Sequence, residues 1–488
     1  MKILVVTGRL CEPLVRSSVS EGTDVLVMDL DVAAFITPVM LRQKLKEVNK
    51  SYDLILISGL ISADFSKLEK EIKTEIRLGP KHAYDLSFLL QFAEEIEFSS
   101  TKPACEILKS KMHQNAIREF EKLEKNAKAS FLLKNVKIGG TSSMKVMGEI
   151  VNAESMKKEA LIKKINDFTE SGSDIIDIGI GLGSSIKDVK KTVKTALEVS
   201  KVPVSIDTHN PELMLIGVEL GVEMVLSLNS GSLKAVGKEI SGSDVAVVIV
   251  PDAKKTLIEN IEFAKSLEIK KIISDPVLSP IGHGSIKSLV EYYQFRSCDK
   301  DTPLFFGTGN ITELIDSDSI GVNAVLAGLA MELDVSILFT PEHSDKTLGS
   351  INELKTASKM MQLAKKRKSA PKDVGIDLLV IKEKRRRVKG ESVLNYNGKI
   401  IWAKENKGWK RDPLGCFIID IIDKNDGTIR AKHNDFTILG KSAKEVFDTM
   451  VDLGLISQVE HAGYLGRELM QAELALRYKR SYVQGDDF

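Results

Sequence analysis

Cysteine is scarce in this chain: Cys11, Cys105, Cys298 and Cys416 are scattered, with no CxxC pair and no histidine nearby at ligand spacing. That excludes a disulfide scaffold and a thiolate zinc site, and it suits inert thiols in a reducing cytoplasm. Net charge is almost absent too, because 69 Lys and Arg face 68 Asp and Glu. The molecule as a whole therefore has no long-range pull on nucleic acid or an anionic membrane, and any anion must be held locally. Long apolar runs are missing. The opening MKILVVTGRL is too short for a signal-peptide core and far below the roughly 20 residues that span a bilayer. Finally, VVTGRLCEP lacks the glycine pattern of a phosphate-binding turn, which leaves no dinucleotide signature at the first strand.

What is present is an ordinary globular balance, 43% apolar and 28% charged, in 488 residues, a length that usually divides into two or three domains. Residues 1–140 read as a small α/β domain with a helical connector. Strand-like ILVVTG, DVLVMDL and DLILISG alternate with amphipathic stretches such as residues 38–48, residues 103–129 are helix-prone, and Gly139-Gly140 marks the boundary. Across residues 141–368, KVMGEIVN, DIIDIGI, PVSIDT, MVLSLNS, DVAVVIVPD, KIISDPV, PLFFGTGN and VSILFTP each precede a helical stretch. Eight such units are the arithmetic of a (β/α)8 TIM barrel. Residues 369–488 read as an α+β accessory domain: strand-like VGIDLLVI lies between the basic runs AKKRKSAPK and KEKRRRVKG. KIIWAKENKGW, CFIIDIIDKNDGTI with an Asn-Asp-Gly turn, and FTILG then read as strands. A helix over residues 444–453 follows, and a last helix carries Leu465, Leu469, Ala472 and Leu476 on one face.

In a parallel barrel, chemistry sits at the C-terminal ends of the strands. Here those ends carry Asn152, residues 179–183, Asp207, Asn229, Asp252, Asp275, Asn310 and His343, while the strand bodies are rich in Val and Ile. A carboxylate accepts two parallel N–H bonds and an amide offers one donor and one acceptor. Asp207, Asn229, Asp275 and Asn310 together would therefore suit a flat heterocycle with mixed edges, such as a pterin. The plainer alternative for each tip is a cap on the helix that follows. His283 and His343 read as solvated loop histidines, the basic runs as solvated faces without interleaved aromatics, and Arg467 with Glu468 as surface charge.

The barrel, a little under half of the chain, resembles the pterin-binding domain shared by dihydropteroate synthases and pterin-dependent methyltransferases, and the three-domain layout is similar to archaeal dihydropteroate synthase-related proteins. The resemblance runs through Asn152 in MGEIVN, Asp177-Ile178-Gly179, Asp207 in SIDT, Asn229, and Asp275 in the Asp-Pro of strand six. It implies that Asp207, Asn229 and Asp275 bind the pterin, with Asp275 on the 2-amino and N3 edge. It also implies that Asn152 stands near a leaving phosphate or Mg²⁺, and that two copies pair through outer helices. The synthases' Thr-Pro-Asp-Ser-Phe loop is replaced by Ala153-Glu154-Ser155. Their Ser-Arg-Lys after strand seven is Gly309-Asn310-Ile311, and their Arg-x-His at strand eight is absent. Asn310 resembles instead the methyltransferase asparagine near N5.

The expectations that follow are a cytoplasmic transferase of tetrahydromethanopterin or folate one-carbon metabolism, joining a dihydropterin methylene carbon to an arylamine. Asn152, Asp207 and Asn310 would be its catalytic residues. The alternatives are methyl transfer from N5 to a corrinoid protein, or a non-catalytic pterin carrier.

Overall fold

The computed structural model describes residues 1–19, 22–382, 401–404, 410–422 and 427–486. It divides into two compact units, Met1–Lys384 and Arg385–Phe488.

The first unit opens with a four-stranded parallel sheet, β1 (Ile3–Thr7), β2 (Asp24–Val27), β3 (Leu54–Ile57) and β4 (Glu75–Leu78), in the order β2-β1-β3-β4. Its β1 and β3 are wholly buried Val, Ile and Leu (with Thr7), as a sheet covered on both faces requires. The helix Lys109–Asn126 then leads to a short hairpin, β5 (Phe131–Leu133) and β6 (Val136–Ile138).

Eight parallel strands follow: β7 (Lys145–Ile150), β8 (Ile175–Gly179), β9 (Val204–Asp207), β10 (Met224–Leu228), β11 (Ala246–Ile249), β12 (Lys271–Ser274), β13 (Leu304–Gly307) and β14 (Val335–Pro341). They close into one barrel, with β14 paired to β7 and β9 to β10. The eight strand-and-helix units read from the sequence are those of the structure.

Alternation along each strand sorts the residues. Val146, Ile176, Ile206, Val225 and Val247 pack outward against the helices, whereas Met147, Ile175, Met224, Ala246, Val248, Ile273, Phe305 and Ile337 fill the interior. Leu133 and Ile138 of the hairpin join that interior cluster and close the N-terminal end of the barrel. The last barrel helix, Ser350–Arg367, ends in Arg367, which is buried beside Asp85 (3.2 Å) and ties the N-terminal sheet domain to the barrel. Val374 and Ile376 then bury against Ala116, Phe120 and Leu363, so VGIDLLVI is irregular chain and not a strand. The barrel is already closed, and these apolar residues find helix faces in place of a strand edge.

In the second unit β15 (Ile418–Ile422), β16 (Thr428–His433) and β17 (Phe436–Gly440) form an antiparallel sheet. The helices Ala443–Asp452 and Val459–Arg477 cover it with Val446, Met450, Leu465, Leu469 and Ala472. Within KIIWAKENKGW, residues 401–404 form no strand and the remainder lies outside the described residues, as do most of KEKRRRVKG and the Asn-Asp of the turn. Glu468, expected on the surface, is fully buried: it accepts from the Tyr482 hydroxyl (2.9 Å) and the Gly485 amide (3.0 Å), which fastens the C-terminal tail. No helix among the described residues is long and apolar enough to cross a membrane.

Candidate functional site

At the C-terminal end the barrel interior changes character. Strand alternation continues from Met147 to Glu149, from Ile175 to Asp177, from Ser205 to Asp207 and from Ile273 to Asp275, so four acids occupy the inward positions above the apolar layer. Register places Glu149 beside Asp177, and Asp177 beside Ser205. One carboxylate oxygen from each of Glu149, Asp177 and Asp207 lies within 4.8 Å of the other two. Burial pushes all three carboxyls upward. Asp207 and Glu313 add to this at Glu149, Asp207 and Glu149 add to it at Asp177, and only the exposed His209 opposes it at Asp207.

Asp275 stands on β12's end, across β10 and β11 from Asp207. Its Oδ1 accepts from the Tyr292 hydroxyl (2.7 Å) and the Val277 amide (2.8 Å). Burial pushes its carboxyl up to about 6 against those two donors. Tyr292, fully buried on the helix Ser285–Cys298, also lies 2.9 Å from the Phe305 carbonyl, so the phenol is fixed from two sides.

The remaining predicted residues do mixed duty. Asn229 caps the helix Ser230–Ser241: its Oδ1 accepts from the Gly231 and Ser232 amides at 2.9 and 3.2 Å, so that acceptor is used and only the amide N–H remains for a ligand. Asn310 is not a cap; it lies within the short helix Gly309–Thr312 and donates to the Leu278 carbonyl (2.8 Å), linking the loops after β13 and β12. Asn152 is exposed, in a left-handed conformation (φ 50°), and its Oδ1 lies over Gly181, where a Cβ would come within 2.8 Å of it. It offers an oxygen donor of the kind Mg²⁺ takes. Beside it, Glu154 Oε1 accepts from the Ser184 hydroxyl (2.9 Å) and the Gly181 amide (3.3 Å), while Oε2 is buried without a partner. Asp252 is structural: hydrogen bonds from Ser230, then from the Lys254 amide, hold its carboxyl well below the usual range. His283 and His343 are exposed.

Sequence reading missed Glu149, Ser205 and Tyr292. The signal for Glu149 was available, since an acid two residues after Met147 in an apolar strand faces the same way as that methionine. Nothing local marks Tyr292, whose partner lies 17 residues away.

The family described as Pterin binding enzyme matches residues 148–268, which include Glu149, Asn152, Asp177, Asp207 and Asn229, and the family PterinBD-DUF4346 matches residues 411–485 in the second unit. Among solved structures, the chain is similar to dihydropteroate synthase (FolP) from Clostridium difficile, determined in the presence of pteroic acid. That match is 21% identical over 46% of this chain and 97% of that one, with a TM-score of 0.37. It is also similar to 7,8-dihydropteroate synthase from Vibrio fischeri, at 17% identity over 48% of this chain and 98% of that one, with a TM-score of 0.38. Over its whole length it is 36% identical to an uncharacterized protein, MJ0107, of Methanocaldococcus jannaschii, covering 100% of this chain and 99% of the relative. With a relative 36% identical over its full length, the chain belongs to the family of that Methanocaldococcus protein, and within it residues 148–268 match the Pterin binding enzyme family.

Proposed function

We propose that the barrel mouth holds a reduced pterin and joins its exocyclic methylene carbon to an arylamine, a transferase step in making a tetrahydromethanopterin- or folate-type one-carbon carrier. The observation that carries this reading is the pair Asp207, half-buried, and Asp275, buried, both inward-facing at separate strand ends. On this reading Asp275 Oδ2 receives an N–H of the 2-amino and N3 edge, because Oδ1 already has Tyr292 and Val277. Asp207 receives a donor from the opposite side, and the amides of Asn229 and Asn310 each contribute a remaining N–H. Asn152 would offer an oxygen to a Mg²⁺ ion, which would offset the charge of the leaving phosphate. The arylamine lone pair forms the N–C bond as the C–O bond to the leaving group breaks, and the proton released from nitrogen passes to a mouth carboxylate, Asp207 or Glu149. Pairing of two chains through the outer barrel helices belongs to the same reading.

A second reading is favoured by Glu154. Its carboxylate already takes the Gly181 amide and Ser184 hydroxyl, donors an anionic leaving group would use, and Gly309-Asn310-Ile311 stands in place of the synthases' Ser-Arg-Lys, without its lysine. This supports transfer of a methyl group from pterin N5 to the cobalt of a corrinoid protein, or a carrier without turnover. Two assays separate them: a dihydropterin pyrophosphate ester with 4-aminobenzoate, and an N5-methyl tetrahydropterin with cob(I)amide. Dihydropteroate formation supports the first reading, methyl-cobalt formation the second, and tight binding without either product the carrier.

A further inference from the structure

We propose that Glu149, Asp177 and Asp207 form the binding site of one divalent cation of the hard, oxygen-seeking class, inside the barrel. This goes beyond the pterin reading, with which it shares Asp207 and the proton acceptor Glu149. The three carboxylate oxygens lie within 4.8 Å of one another. Oxygens held 2.3–2.6 Å from a calcium ion stand up to about 5 Å apart across it, so the spacing suits an ion of that size or of Mn²⁺ with slight contraction.

Three neighbouring acids alone would not make a site; Asp177 supplies the second observation. It is wholly buried, its Oδ1 accepts from the Ser205 hydroxyl at 2.5 Å, and its Oδ2 has no hydrogen-bond partner. A buried carboxyl oxygen without a hydrogen-bond partner is costly. Among the described residues, the charges acting on this pair are negative: Asp207 and Glu149 on Asp177, and Asp207 and Glu313 on Glu149. The one side chain that offsets this is the exposed His209, and it acts on Asp207. A dication bonded to all three would satisfy the orphan oxygen and turn mutual repulsion into shared attraction.

The donor chemistry limits the ion. Three carboxylates, with no thiolate and no imidazole among them, select Ca²⁺, Mn²⁺ or Mg²⁺ over zinc or copper. Glu149 and Asp207 are half-buried, so the ion enters from the mouth, while Asp177 is held in orientation by Ser205 behind it.

The test uses the full chain, stripped with EDTA and titrated with Mn²⁺ at pH 8 without pterin, with free ion followed by electron paramagnetic resonance. One ion per chain is expected, displaced by Ca²⁺. Glu149→Gln and Asp177→Asn should each weaken binding at least tenfold to a hundredfold, and Ser205→Ala by about tenfold, as loss of an orienting partner does. Should Asp177→Asn fail to fold, Glu149→Gln, at a half-buried position, carries the same reading. No binding at millimolar Mn²⁺, or equal affinity in wild type and Glu149→Gln, overturns the site. Pterin affinity is read separately on Asp275→Ala, which adds no oxygen to the triad, so loss of one reading leaves the other standing.

Discussion

The two ends of one barrel differ more than the two domains that flank it. At the floor, Met147, Ile175, Met224 and Ile337 meet Leu133 and Ile138 of the β5–β6 hairpin in a dry cluster. At the other end, on β7, β8 and β9 and just past β12, Glu149, Asp177, Asp207 and Asp275 stand inside, the first three with carboxylate oxygens within 4.8 Å of one another. The backbone geometry is the same at both ends, so only side chains and caps distinguish them. Parallel strands thereby let one end carry stability and the other carry ligand chemistry.

Three changes test that division, from the largest expected effect down. Ile138→Ala empties part of a fully buried floor and should cost about 2–5 kcal/mol in denaturant unfolding, with pterin affinity unchanged. An equal loss of pterin binding would show that the ends are coupled. The next concerns pH. Asp275 is raised from 3.8 to about 6 in the folded protein, so the folded state holds that proton more tightly than the unfolded chain. Its contribution is complete below about pH 4 and is lost as pH rises through 6, a swing of about 3 kcal/mol. Unfolding from pH 4 to 7 should show this slope in wild type and lose it in Asp275→Asn; parallel profiles would refute it. Smallest is Asn229→Ala, which removes a cap and should destabilise by about 1 kcal/mol. No change in stability would assign Asn229 to ligand alone.

The barrel was legible because eight β-branched runs each led into an amphipathic stretch, and that periodicity survives burial on both faces. Polarity at the strand ends was legible for the same reason. What the sequence did not yield is partnership. Asn229 spends its acceptor on a cap and Asn310 spends a donor on Leu278, so the idea of four equivalent ligand groups reduces to two carboxylates assisted by two part-occupied amides. Tyr292 supports Asp275 from a helix, a contact that only closure of the barrel creates. VGIDLLVI has a strand's composition, yet strand formation needs an open edge, and a closed barrel has none.

The most direct test of the central claim is fluorescence titration with a reduced pterin of the wild-type chain and of Asp275→Ala. Removing a buried carboxylate that takes a charge-assisted hydrogen bond from the ring should weaken binding by about 1.5–3 kcal/mol, roughly tenfold to a hundredfold. Equal affinity in the two proteins would contradict the assignment of the barrel mouth as the pterin site.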